Sequence, residues 1–359
     1  MKLSMMAPVF SRAGSPKFDR WMADRLEDLA GDVQSTLAGN LVALVLGGGY
    51  GRGEGAVVHG SGGERPYNDL DLIVIVNRRP GVARLLAPVS RRHEHALGIA
   101  VDFSRALTVG DVEQWEHRLR WHELYHGHRV LSGEPGIVVD HAPREIASPV
   151  PLREASRLLV NRGAGLVWAR RVVSGLAPAP DRDFVRRNAY KALLAVGDAY
   201  LIAAGVLAPR HAGRQELLHS LTSQLPANAA ARVLECYAAA LAFKFEPDTM
   251  PTERVEEDLM RQANELWAGA FLHVESQRHG RSFDALTDYA RWSGPREPAP
   301  ATRWLRNFAS NLRFGQLSIR APQDPLYSQV ASLITADPAT PDWPARSAAF
   351  LRRWEKVND

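Results

Sequence analysis

Two aspartates spaced two residues apart could bind a divalent cation. Asp69 and Asp71 begin the apolar run 69–76, a pattern that predicts a β-strand. Side chains alternate between the faces of a strand, so both carboxylates would project from one face, roughly 6–7 Å apart. Carboxylates this close repel each other unless a cation lies between them, and Mg²⁺ prefers this type of oxygen ligand.

A third carboxylate, Asp102, lies in a second predicted strand, 98–103. Placed beside Asp69 and Asp71 on a neighbouring strand, it would complete a cluster for two Mg²⁺ ions, with Mn²⁺ as an alternative ion. Such a cluster binds both the attacking and the leaving oxygen of an in-line phosphoryl displacement. The apolar neighbours Leu70 and Val101 would face the core and fix the two strands.

A glycine turn precedes the aspartates. The apolar run 41–46 predicts a buried strand that stops at the three glycines 47–49. Glycines let the backbone approach a phosphate, and the N–H groups of the turn then point at the anion. Arg52 would add a bidentate phosphate donor. An acidic metal site next to an anion-binding turn suits a nucleoside triphosphate.

These motifs together resemble a known signature. The residues GGYGRGE at 48–54, NDLDL at 68–72 and VDF at 101–103 resemble that of the DNA polymerase β-like nucleotidyltransferase superfamily, in its bacterial small-molecule or minimal form. The resemblance implies Mg²⁺-dependent transfer of a nucleoside monophosphate from a triphosphate, with ATP expected, to an acceptor hydroxyl, with release of pyrophosphate. It implies that Gly48 and Gly49 hold the triphosphate, that Asp69 and Asp71 bind both metals, and that Asp102 binds the metal that activates the acceptor.

The resemblance covers residues 40–105. Nineteen residues separate Gly49 from Asp69, more than the family's usual spacing, and the surplus is glycine-rich near 59–65. We expect a surface loop there. The stretch 124–133 and the helices around Arg187 and Lys191 resemble the helical part of such enzymes only loosely.

A second motif suggests different chemistry. The residues His122-Glu123-Leu124-Tyr125-His126 match His-Glu-x-x-His, in which two histidines one helical turn apart bind zinc and the glutamate acts as base. However, Gly127 follows at once and is expected to end the helix, and no third histidine lies at metzincin spacing. We therefore favour a histidine cluster without metal and keep a zinc metallohydrolase as an alternative.

The second half of the chain is predicted to be helical, with a basic face on one helix. Residues 150–173, 182–206, 229–246 and 253–279 show apolar residues at helical spacing. Arg187 and Lys191 share a face, with Asp198 two turns further on. Either this face is solvated, or Lys191 contacts the triphosphate and Asp198 orients the acceptor.

Composition limits the remaining options. The chain has 359 residues, with 44 Lys and Arg against 40 Asp and Glu, a net charge of +4 that excludes a histone-like polycation. The single cysteine, Cys236, excludes an internal disulfide and a Cys-rich zinc site. No signal peptide and no membrane-spanning run is evident. We expect a soluble, cytoplasmic protein with no membrane partner.

The predicted fold class is α+β: a mixed sheet flanked by helices over 1–147, a helical acceptor domain over 148–292, and a linker with a small helical cap over 293–359. The predicted reaction is in-line attack of a hydroxyl on the α-phosphorus by a two-metal mechanism. A small-molecule acceptor is favoured. Transfer to a tRNA end or a protein side chain, and a non-catalytic nucleotide-binding module, stay open.

Overall fold

A computed structural model describes residues 9–60, 62–248, 256–297, 301–314 and 317–357. The chain forms two compact units that do not follow one cut along the sequence. The N-terminal unit comprises Met1–Pro151 together with Gly205–Leu217 and Leu241–Pro251, and the helical unit comprises Leu152–Ala204, Leu218–Ala240 and Thr252–Asp359. The domain boundaries given above stay a prediction.

A four-stranded mixed sheet forms the centre of the N-terminal unit. Its helices are α1 (Pro16–Leu37), α2 (Gly48–Arg52), α3 (Val82–Leu97), α4 (Val109–Val112) and α5 (Leu119–His126), and its strands are β1 (Leu41–Leu46), β2 (Val57–Gly60), β3 (Gly63–Pro66), β4 (Asp69–Val76), β5 (Ala100–Phe103) and β6 (Arg129–Gly133). The sheet order is β5-β4-β1-β6. β4 and β5 are parallel, and β1 is antiparallel to both β4 and β6. The predicted α+β class is confirmed.

The central strand β1 has a hydrophobic core on each of its faces. Leu44 and Leu46 of β1 belong to a core that includes buried side chains of α1 and α3. Ala43 and Val45 belong to a second core on the opposite face, with Val112 of α4 among its members. This is the alternation that a strand covered on both sides requires.

The predicted surface loop at 59–65 is wrong, because this stretch forms a β-hairpin. β2 and β3 are antiparallel, and Gly60 pairs with Gly63 across the turn. Gly63 has a φ of +98°, which glycine adopts without strain, so the chain can reverse direction there. Glu64 on β3 accepts a hydrogen bond from the backbone N–H of Ser15, the N-cap residue of α1, at 2.9 Å, and this contact anchors the hairpin.

The rest of the chain is helical. Its helices are α6 (Leu152–Val173), α7 (Phe184–Ala203), α8 (Arg214–Ser220), α9 (Ala230–Phe245), α10 (Glu256–His279), α11 (Leu286–Arg291), α12 (Trp304–Leu312), α13 (Asp324–Thr335) and α14 (Trp343–Val357). The four predicted helices correspond to α6, α7, α9 and α10. In the helical unit, α13 packs against α6 and α11. Over the described ranges, no helix is both long and apolar enough to span a bilayer.

Candidate active site

The strands β4 and β5 place three carboxylates on one open face of the sheet. β5 pairs Asp102 directly with Asp71 of β4. Asp71 and Asp102 are exposed and Asp69 is half-buried, whereas the intervening Leu70 and Val101 are buried in the core on the other face. Paired residues of neighbouring strands lie on the same face, about 4.8 Å apart along the hydrogen bonds. The structure thus brings Asp69, Asp71 and Asp102 onto one face.

The glycine turn after β1 fits closely around Asp71. The backbone N–H of Gly47 donates to the carbonyl oxygen of Asp71 at 2.8 Å, which ties the turn to β4. Gly48 has a φ of +59°, and a Cβ added there would lie 1.9 Å from Oδ2 of Asp71. A side chain at position 48 would therefore displace this carboxylate. A Cβ at Gly49 would lie 3.2 Å from the carbonyl oxygen of Glu54, so this position is also crowded.

The three carboxylates have the donor chemistry of a magnesium site, but their side chains are spread along the face. Among the residues that the structure describes, no group of three His, Cys, Asp or Glu side chains is arranged to hold a metal ion. Burial raises the pKa of Asp102, and the charges of Asp69 and Glu94 raise it further. Carboxylate oxygens are ligands that Mg²⁺ prefers, and metal binding by these three side chains stays a prediction.

Arg52 does not lie free beside the glycine turn. Its side chain is buried, with Nε 3.6 Å from Glu54 and Nη1 3.5 Å from Glu123. Its charge is directed toward these two carboxylates, and the predicted contact of Arg52 with a phosphate stays a prediction. This arginine belongs to a group that we call the buried charge cluster, whose members are Arg52, Glu54, Glu123, His211, Arg214 and Lys244.

The buried charge cluster joins the α2 region to the returning segment 205–217. The carboxylate of Glu54 accepts hydrogen bonds from the backbone N–H groups of His211, at 3.1 Å, and of Ala212, at 2.9 Å. Arg214, which is fully buried, donates to the carbonyl oxygen of Ala208 at 2.7 Å and to Glu123 at 2.7 Å. Each buried carboxylate thus has donors from a distant part of the sequence, which offsets its loss of hydration.

Glu123 illustrates why the zinc interpretation is not supported. Burial alone would raise the pKa of Glu123, but the charges of Arg52 and Arg214 outweigh this effect and lower it to about 2. A carboxylate held so firmly in its charged form is a weak general base. Nδ1 of His122 lies 2.9 Å from the carbonyl oxygen of Ile146, and the helix ends at Gly127, as expected.

Lys244, near the end of α9, brings a further positive charge to the cluster. Burial and, to a smaller extent, the charge of Arg52 lower the pKa of Lys244 to about 8, against the opposing effect of Glu123. Phe243 and Phe245 flank it in sequence. Phe243 packs edge-on against Tyr67 with the ring centroids 6.3 Å apart, and Phe245 lies under the guanidinium of Arg12. The aromatic neighbours hold this segment in the N-terminal unit.

The helical unit contains the other predicted site residue. Lys191 is half-buried in α7. Together with Arg187, which contributes more, it lowers the pKa of Asp181. Asp198 is buried and accepts a hydrogen bond of 2.7 Å from the hydroxyl of Tyr237. A role for Lys191 at the triphosphate and for Asp198 at the acceptor stays a prediction.

Sequence reasoning missed most of the buried charge cluster. Its members lie between positions 52 and 244, and nothing in their spacing indicates that they meet. One signal was available: Lys244 interrupts the apolar run Ala-Leu-Ala-Phe-Lys-Phe of α9, and a single ammonium in an apolar helical run needs a charged environment.

The comparisons with known proteins find likenesses only among solved structures. No family model matches the chain, and no curated protein matches it. Among solved structures, the chain is similar to the spectinomycin adenyltransferase AAD(9) from Enterococcus faecialis, determined with ATP and spectinomycin. The likeness covers 68% of this chain and 97% of that chain, with a TM-score of 0.43 and 12% identity.

Proposed function

We propose that this protein is a metal-dependent nucleotidyltransferase that transfers a nucleoside monophosphate from a nucleoside triphosphate to an acceptor hydroxyl and releases pyrophosphate. The observation that carries the proposal is the in-register pairing of Asp71 with Asp102 on an open sheet face, next to a glycine turn built around Asp71. A small-molecule hydroxyl is the favoured acceptor, and ATP is the expected nucleotide.

The chain's own residues would act through position and charge. The N–H groups of the glycine turn bind phosphate oxygens, which a residue with a side chain at position 48 would obstruct. Asp69, Asp71 and Asp102 would hold two divalent ions, Mg²⁺ or Mn²⁺. When bound, such ions lower the pKa of an attacking hydroxyl and neutralise charge on the departing pyrophosphate. Arg52 has no part in phosphate binding in this proposal, and it fixes the end of α2 instead.

The test compares the wild-type protein with two isosteric variants. Each of the four triphosphates, labelled at the α-phosphate, is incubated with Mg²⁺ and with hydroxyl-bearing small molecules, with RNA, or with the protein alone. Asp71→Asn and Asp102→Asn should lose nearly all transfer while their circular dichroism is unchanged, because each removes a metal-binding charge without changing shape. Asp24→Asn, at an exposed position on α1, is the matched control.

The acceptor that becomes labelled distinguishes the candidate functions. Label on a small molecule supports the favoured acceptor, and label on RNA or protein supports a macromolecular one. Triphosphate binding without transfer to any acceptor would favour a non-catalytic module. Unchanged Mg²⁺-dependent transfer in Asp71→Asn and Asp102→Asn would show that the carboxylate face is not the active site.

A further inference from the structure

Helix α12 buries its two asparagines and exposes its large apolar residues Trp304, Leu305 and Leu312. Asn307 is 7% and Asn311 1% exposed, whereas Trp304 is 50%, Leu305 63% and Leu312 53% exposed. A helix that packs on a core normally shows the opposite arrangement. The exposed apolar face of α12 therefore does not serve to pack the helix onto the core of the helical unit.

The inward asparagines explain how α12 is held in this orientation. Asn311 donates to the carbonyl oxygens of Ser318 and Arg320, both at 2.9 Å, and accepts a hydrogen bond of 2.9 Å from Arg353 of α14. Asn307 donates to the carbonyl oxygen of Ile319 at 3.2 Å. The same contacts fix the segment 317–320 beside the helix, with Ile319 59% exposed. The outward apolar face is thus a consequence of specific hydrogen bonds.

Five large exposed apolar side chains lie on α12 and on the segment 317–319 that follows it in sequence, and we call these five residues the α12 patch. Large exposed hydrophobic residues of the described chain are Val9, Leu85, Val139, Val173, Leu176 and Val206, and, within the α12 patch itself, Trp304, Leu305, Leu312, Leu317 and Ile319. Those outside the patch are scattered, as on most soluble proteins. Clustered exposed apolar residues usually mark an interaction surface.

The charge of the α12 patch has one sign. Arg306 and Arg313 each follow an exposed leucine, seven residues apart, and both are exposed. No aspartate or glutamate occurs in the sequence 298–323. At about 100° per residue, both arginines lie on one side of the apolar sector, next to Leu305 and Leu312. Long arginine side chains can keep their charge in water while their apolar stems cover an apolar surface.

We propose that the α12 patch binds the surface of a bilayer rich in anionic phospholipid. Apolar residues that include a tryptophan, with arginines on one side, match the boundary between acyl chains and phosphate headgroups. A second copy of this chain, joined by two-fold symmetry at this patch, would set arginine against arginine with no carboxylate of the patch to compensate. Single-stranded nucleic acid binds through stacked aromatic rings, whereas this patch is mainly aliphatic.

The test is co-sedimentation of the full-length protein with vesicles, and it needs neither nucleotide nor activity. Vesicles of phosphatidylcholine are compared with vesicles that also contain phosphatidylglycerol, at low and at high salt. The wild-type protein should bind only the anionic vesicles, and added salt should weaken the binding. Arg306→Gln with Arg313→Gln should reduce the partition coefficient about 30-fold, at about fivefold for each arginine near an anionic surface.

The apolar contribution is tested separately. Leu305→Gln with Leu312→Gln should lower binding at least about tenfold, and both changes face outward, so circular dichroism should be unaltered. Arg84→Gln with Leu85→Gln, at exposed positions of α3, is the matched control and should bind like the wild type.

Three results would overturn the proposal. These are absence of binding to anionic vesicles, equal binding to phosphatidylcholine alone, and unchanged binding of either α12 variant. Self-association or RNA binding that is lost in the Leu305→Gln, Leu312→Gln variant would assign the patch to another partner.

Discussion

The buried carboxylate of Glu123 gives a quantitative test of the cluster. In Glu123→Gln, Arg52 and Arg214 would keep their buried charges but lose the carboxylate between them. The pKa of this group falls from 4.5 to about 2 on folding. At about 1.4 kcal/mol for each pKa unit, the difference corresponds to about 3.5 kcal/mol. Removal of one partner of a buried ion pair usually destabilises by about 3–5 kcal/mol.

We expect a loss of about 2–3 kcal/mol in the free energy of unfolding, because the glutamine oxygen can still accept the 2.7 Å hydrogen bond from Arg214. The assay is urea unfolding at pH 7, followed by fluorescence of the nine tryptophans and by circular dichroism. Glu116→Gln is the matched control, since this carboxylate pairs with Arg118 at the surface. Its effect should stay below about 1 kcal/mol.

The pH dependence of this difference has a defined sign. The native state holds Glu123 with a lowered pKa, so its stabilisation is fully present above pH 4.5 and is lost as the pH falls toward 2. The difference in free energy of unfolding between the wild type and Glu123→Gln should be constant from pH 7 to about 5 and should narrow below pH 5. A gap under about 0.5 kcal/mol at pH 7, or one that does not narrow in acid, would refute the argument.

Two further predictions concern single positions. Lys244→Met should raise the free energy of unfolding at pH 7 by about 1–3 kcal/mol, because folding lowers the pKa of this ammonium from 10.5 to about 8. The free energy of unfolding of the wild type should rise from pH 8 to 10.5, because Lys244 loses its proton in the native state over this range. The advantage of Lys244→Met over the wild type should therefore vanish near pH 10.5. Urea unfolding across this range checks both expectations. Gly48→Ala should bind triphosphate at least about tenfold more weakly, because its Cβ would collide with Asp71; filter binding of labelled nucleotide measures this, and wild-type affinity would contradict it.

The sequence predicted well those features that local pattern controls. Alternation in Asp-Leu-Asp-Leu assigns each side chain of β4 to a face, and the glycines that follow β1 mark the turn. The hairpin β2–β3 was missed because its residues, His59 to Pro66, are polar and rich in glycine, and so lack the apolar alternation of a half-buried strand.

Features that depend on distant residues could not be predicted. The motif around Glu123 matches a zinc site by local spacing, and only the approach of Arg214, 91 positions later, shows that the carboxylate is an ion-pair partner. Likewise, α12 has an ordinary amphipathic sequence. Which side faces inward is decided by the acceptors that Asn307 and Asn311 find in the segment 318–320.

The return of the chain to its first unit has a consequence for biosynthesis. A ribosome that has released residue 151 has supplied every strand of the central sheet but neither Arg214 nor Lys244. Until these positions emerge, Glu54 and Glu123 lack their later partners and must stay hydrated. Completion of the first unit is therefore delayed until two segments of the helical unit, Leu152–Ala204 and Leu218–Ala240, have been translated. A fragment cut at residue 151 should be a loosened intermediate instead of an independent enzyme domain.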